Sequence, residues 1–95
     1  VGLMITFEKV EVQGEASYYV VELTTYQHAH LVESDLRSDY DYNSYYNRMY
    51  YYLNSEIRTW LNENCPKWEQ DSVHEGLELS LVDENHAFMF VMRWS

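Results

Sequence analysis

The stretch DYDYNSYYNRMYYYLNSEIRTWLNEN, running from Asp39 to Asn64, decides how this chain is read. Tyr42, Tyr46, Met49, Leu53, Ile57 and Trp60 recur at three- and four-residue steps, with Tyr50 and Leu61 on the margin. That spacing is one apolar stripe of helical period. Ser38-Asp39-Tyr40-Asp41 resembles a capping box with Asp41 in place of the usual Glu, and acidic groups in a first turn suit the positive end of the helix dipole. Pro66 closes the segment, because the residue before a proline is pushed out of helical geometry. The spacing therefore predicts one long helix from Asp39 to Asn64.

Strand-like sequence lies on both sides. Met4–Val12 and Ser17–Gln27 are rich in β-branched and aromatic residues and flank the turn-forming Gln13-Gly14-Glu15-Ala16, which predicts an antiparallel hairpin. Ile5 and Phe7 share one side of its first strand while Val10 and Val12 share the other, which calls for a bulge near Glu8-Lys9 or for cover on both faces. Tyr19, Val21 and Leu23 share one face of the second strand. After the helix, Leu77, Leu79 and Leu81 alternate with Glu78 and Ser80, Asp83-Glu84-Asn85-His86 reads as an acidic loop, and Ala87–Trp94 reads as a strand apolar on both faces. The expected fold is α+β with the order ββαββ: a four-stranded antiparallel sheet with one long helix on one face, in a single domain spanning residues 1–95. The uncovered face is then left for solvent, for a target, or for a second copy of the chain.

Composition limits the partners. Sixteen acidic residues against six basic ones give a formal charge of −10, in a chain that also carries ten tyrosines and three tryptophans. Such a charge repels nucleic acid and anionic membrane, and it attracts the basic grooves of proteins that handle nucleic acid. A hydrophobic content of 46% argues against a disordered acidic tail. The lone Cys65 rules out an internal disulfide, and no stretch has the length of a membrane span or the order of a secretory signal, so a cytoplasmic setting is expected. Met4 is the expected native start, with Val1, Gly2 and Leu3 a remnant of expression.

No catalytic or cofactor motif stands out. His28 and His30 are expected to share a strand face at a spacing that can chelate a metal, and His74, His86 and Cys65 offer further donors, but the spacing matches no zinc motif, so neither a metal nor another cofactor is expected. Cys65 beside Pro66 lacks a neighbouring base, and the glycines form no phosphate-cradling loop, so the chain is expected not to be an enzyme. A different constellation is better defined. On the predicted helix Asp41, Tyr45, Tyr52, Glu56, Thr59 and Glu63 share the flank beside the buried stripe, a ribbon of carboxylates with two tyrosines among them. Carboxylates on successive turns imitate a row of phosphates. Glu33, Asp35, Asp39 and the Asp83-Glu84 loop extend the negative surface, and Tyr51 and Tyr52 are expected to be exposed.

A compact, acidic, cysteine-poor α+β chain resembles the small phage-encoded inhibitors of bacterial defence: anti-CRISPR proteins, anti-restriction proteins and uracil-DNA glycosylase inhibitors, several of which mimic DNA. The resemblance covers size, charge and composition, and barstar-like immunity proteins share it. It implies an inhibitor acting in the bacterial cytoplasm on a CRISPR effector, another defence nuclease or a repair enzyme, without binding nucleic acid itself. The expected target-binding residues are Asp41, Tyr45, Tyr52, Glu56, Glu63, Asp83 and Glu84. The contending expectations are a toxin-neutralising immunity protein and an assembly module that forms a homodimer through the uncovered sheet face.

Overall fold

The Asp39–Asn64 stretch folds as two elements instead of one. A computed structural model describes residues 4–41 and 44–95, with the backbone alone described at 39–41 and 44–46. Ser44–Leu53 is a strand, here β4, that pairs antiparallel with β3, Val32–Asp41, through ten positions from Val32 opposite Leu53 to Asp41 opposite Ser44. Only Ser55–Asn64 is helical, as α1. The long helix is thus corrected to a hairpin followed by a three-turn helix. The physical reason lies in the tyrosines. Tyr50, Tyr51 and Tyr52 are better strand than helix formers, and Met49, Tyr51 and Leu53 also alternate with period two, so the same residues fit both templates. Asn54 then starts the helix: its Oδ1 accepts from Ile57 N at 3.0 Å while its Nδ2 donates to the His30 carbonyl at 3.0 Å. Of the predicted stripe, Leu53 and Ile57 are buried and Trp60 half-buried, whereas Met49 is 42% exposed. Tyr42 lies outside the described residues, as does the side chain of Tyr46.

Four further strands form the main sheet: β1 Glu8–Val10, β2 Tyr18–Thr24, β5 Glu69–Val73 and β6 Gly76–Leu81, in the order β1-β2-β6-β5 and antiparallel throughout. The α+β class and a four-stranded antiparallel sheet therefore hold, but the ββαββ order does not, and the fourth strand is Glu69–Val73 in place of the expected Ala87–Trp94. Glu8, Lys9 and Val10 pair one-to-one with Val20, Tyr19 and Tyr18, so no bulge interrupts β1. Gly76 is fixed by space, since a Cβ there would collide with the carbonyl oxygen of Leu23 on the paired strand.

The final run is the second correction. Glu84–Trp94 is a helix, α2, capped by Asp83, whose Oδ1 accepts from Asn85 N at 2.7 Å. The acidic segment read as a loop is the start of this helix. Ala87 and Phe90 are buried, with Val91 and Trp94 half-buried beside them, which is helical spacing. A segment apolar on two strand faces is thereby reduced to one buried helical face. Leu77, Leu79 and Leu81 of β6, Tyr19, Val21 and Leu23 of β2, Ile57 and Leu61 of α1, Ala87 and Phe90 of α2 and Leu53 of β4 form a single core. Trp60 packs edge-on against both Phe90 and Trp94, which joins the two helices. The hairpin is tied to the sheet by backbone donors of β4: Tyr51 N to Ser72 Oγ at 2.9 Å and Leu53 N to Gln70 Oε1 at 3.0 Å. The helices lie on one side of the main sheet, so its other side is open.

Candidate functional site

Strand register builds the open face. Residues directly opposite in an antiparallel pair share a face, so Val20, Glu22 and Thr24 of β2 lie with Ser80, Glu78 and Gly76 of β6 and with Glu69, Asp71 and Val73 of β5. Glu8 of β1 joins them opposite Val20. Glu22, Glu78 and Asp71 therefore form one row across three adjacent strands, at the inter-strand spacing of about 4.8 Å. Glu8 and Glu69 flank it one row away. Glu8, Glu22, Glu69 and Asp71 are exposed and Glu78 is half-buried. Among the described residues, the ion pairs join Lys9 to Glu11, Arg37 to Asp35, His74 to Glu75 and Arg93 to Glu56, and none reaches this row. Like charges set directly opposite each other oppose sheet pairing by a few tenths to about 1 kcal/mol each. Two such oppositions, Glu22 with Glu78 and Asp71 with Glu78, stand side by side here.

At the β1 end, the same face holds a slot of about 170 Å³ lined by Met4, Thr6, Glu8, Val20, Glu22, Thr24, Gln27 and His28. The turn after β2 delivers His28. Its N–H donates to the Thr24 carbonyl at 2.9 Å, its carbonyl accepts from Leu31 N at 2.9 Å and Val32 N at 3.2 Å, and Gln27 N donates to Thr24 Oγ1 at 3.2 Å. The backbone is satisfied while the ring is not. His28 is 4% exposed, and neither ring nitrogen has a hydrogen-bond partner. Burial, with a smaller contribution from the charge of His30, pulls its pKa below the usual 6.5, so the imidazole is neutral at neutral pH.

The sequence-predicted contact residues are dispersed. Asp41 lies at the last paired position of β3, opposite Ser44, and Tyr45 lies one position further along β4. Tyr52 is half-buried on β4 with the Arg58 guanidinium 5.8 Å from its ring centre, and Tyr51, expected at the surface, is half-buried as well. Glu56 and Glu63 are exposed at opposite ends of α1, Glu56 beside Arg93 at 4.0 Å. Asp83 caps α2 and Glu84 lies in its first turn. These residues do not form one ribbon, because the helix flank that would have aligned them is divided between a hairpin and a helix. The open-face carboxylates were missed in the sequence; the alternation of Glu78 and Ser80 with the β6 leucines was the signal available.

Of the possible donors to a metal, His28 and His30 do not share a strand: both lie in the connection between β2 and β3, one buried and the other exposed. Among the described residues no group of three or more His, Cys, Asp or Glu side chains is placed to hold a metal ion. Cys65 is fully buried at the end of α1, and burial pushes its thiol up to about 11, which keeps it protonated. No helix among the described residues is long and apolar enough to cross a membrane. No protein-family model, curated protein or solved structure matches this chain.

Proposed function

We propose that the chain is a non-enzymatic acidic inhibitor that binds a basic, nucleic-acid-handling enzyme, such as a CRISPR effector or another defence nuclease, and obstructs access of nucleic acid to its groove. The observation that carries this reading is the row Glu22, Glu78 and Asp71 on an uncovered sheet face, which no ion pair among the described residues reaches. A surface that keeps like charges opposed without a counter-charge gives up a little stability, and a cationic partner recovers it on binding. The contact surface is therefore the sheet face and not a helix flank. Carboxylates at regular strand spacing present a basic groove with a field like that of a phosphate row, which supports mimicry of nucleic acid as the mode of inhibition. The target places the action in the cytoplasm of a bacterial host. The same charge weighs against a homodimer through this face, since two copies would set their carboxylates against each other.

The test is inhibition of purified CRISPR effector and restriction nucleases. Glu22→Gln, Asp71→Asn and Glu78→Gln combined should abolish binding to the nuclease that wild type inhibits, with the circular dichroism spectrum unchanged. Glu56→Gln with Glu63→Gln should bind as wild type does. Duplex DNA should compete, and affinity should fall as salt rises. If the triple variant binds as tightly as wild type at low salt, the open face is only a solvated surface.

A further inference from the structure

We infer that the slot between the N-terminal segment and β2 is a receptor for an arginine side chain of the basic partner, with Glu8 and Glu22 taking its charge and His28 accepting one of its N–H groups. This rests on the acidic-face reading above and names the anchor within it. Four properties of the slot point to that ligand.

The first is charge. Glu8 and Glu22 both line the slot and neither a lysine nor an arginine does, so an anion is repelled and a cation favoured. Chemistry is the second. A neutral imidazole has one acceptor nitrogen and one N–H, and in His28 both are buried without a partner, which costs free energy until a ligand supplies one. A guanidinium brings five N–H donors in one plane and is weakly hydrated, so it loses less on entering a part-enclosed site than an ammonium does. Glu8, Glu22, the Thr6 and Thr24 hydroxyls and the Gln27 amide oxygen supply further acceptors around the same volume. The third property is size. About 170 Å³ is close to the roughly 150 Å³ cavity that holds a benzene molecule, which is room enough for a guanidinium and its adjoining methylenes. The fourth is its wall: Met4 and Val20 offer apolar surface to the methylene stem. A metal ion fits less well, because Glu8, Glu22 and His28, though they line one slot, are not placed as a group that could hold one.

The experiment uses the full chain and a hexa-arginine peptide as the probe, with hexa-lysine for comparison, followed by calorimetry and by amide and imidazole NMR shifts. Wild type should bind hexa-arginine more tightly than hexa-lysine and show shifts at Thr6, Glu22, Thr24, Gln27 and His28. Glu8→Gln with Glu22→Gln should weaken hexa-arginine binding by about tenfold or more, as expected for losing charge-assisted hydrogen bonds. Glu69→Gln with Asp71→Asn, on the same face but away from the slot, should cost only a few-fold. His28→Leu should abolish the preference for arginine over lysine; should that variant misfold, the Glu8 and Glu22 pair, both exposed, carries the test alone. Equal losses from the two double variants, with no shifts at the slot, would overturn the arginine receptor while leaving the acidic face as the binding surface. Failure of hexa-arginine to bind at all would overturn both.

Discussion

The β3–β4 hairpin and the open face of the main sheet both meet solvent, and they treat charge in opposite ways. On the hairpin, Arg37 lies 3.6 Å from Asp35, the guanidinium groups of Arg37 and Arg48 lie 4.8 and 5.2 Å from the centre of the Tyr50 ring, and Arg58 covers Tyr52. Arg37 and Arg48, directly opposite each other in the pairing, are met there by one carboxylate and one shared tyrosine ring. On the sheet face, Glu78 opposes both Glu22 and Asp71, and no ion pair among the described residues reaches the row, although Arg37 and Arg48 line a cleft with Asp71 at its edge. Three of the six basic residues, Arg37, Arg48 and Arg58, gather around hairpin tyrosines, and Arg37 and Arg48 border the acidic row only at its Asp71 end without an ion pair to it. Net charge alone does not mark a binding surface; its local imbalance does.

The contrast has meaning only if both regions stand on one platform. Phe90→Ala should lower stability by about 3–5 kcal/mol in urea denaturation, and hairpin and sheet should lose protection in a single transition, because Leu53 of the hairpin shares a core with the β6 leucines and Phe90. Separate transitions would make the hairpin an independent unit and remove the basis for comparing the two surfaces.

Acid should sharpen the difference. His28 has a depressed folded-state pKa, so the unfolded chain binds a proton more readily. Its contribution is fully present above about pH 6.5, declines as pH falls below that value, and levels off once the folded state is also protonated. The slope should not exceed about 1.4 kcal/mol per pH unit. His28→Gln should flatten this part of the stability profile, and a Tyr50 variant on the hairpin should not.

Smaller effects should differ in sign between the two surfaces. Tyr50→Ala removes the ring shared by two guanidinium groups and should destabilise by about 1 kcal/mol or somewhat more. Glu78→Gln relieves two opposed pairs and should stabilise by about 0.5–1 kcal/mol at low salt, an effect that shrinks as salt is added. Asp35→Asn, which breaks an exposed pair, should cost no more than about 0.5 kcal/mol. If Glu78→Gln destabilises the protein, the carboxylate row is satisfied in place and the contrast collapses.

Much of the chain was legible where local pattern and tertiary burial agree. The alternation in Tyr19, Val21 and Leu23 and in Leu77, Leu79 and Leu81 marked the two central strands, since a strand buried on one side has only one way to present its apolar residues. Residues 44–53 and 84–94 misled because short apolar runs fit both periods. A tyrosine at every position from 50 to 52 satisfies a helix stripe and a strand face alike, and Ala87–Trp94 places apolar groups at steps of two, three and four. The caps that distinguish these cases, Asn54 and Asp83, are single polar residues whose role depends on which backbone donor they meet.

By itself the sequence determined an α+β class, the two central strands of the main sheet, a large negative charge and a cysteine with no partner for a disulfide. These follow from composition and from periods a few residues long, which no later packing can alter. Tertiary structure alone decided which apolar runs became strands and which became helices, because that choice depends on the surface each run meets. It also made the acidic row. Glu22, Asp71 and Glu78 are far apart or differently placed along the chain, and only the antiparallel register of β2, β6 and β5 sets them side by side.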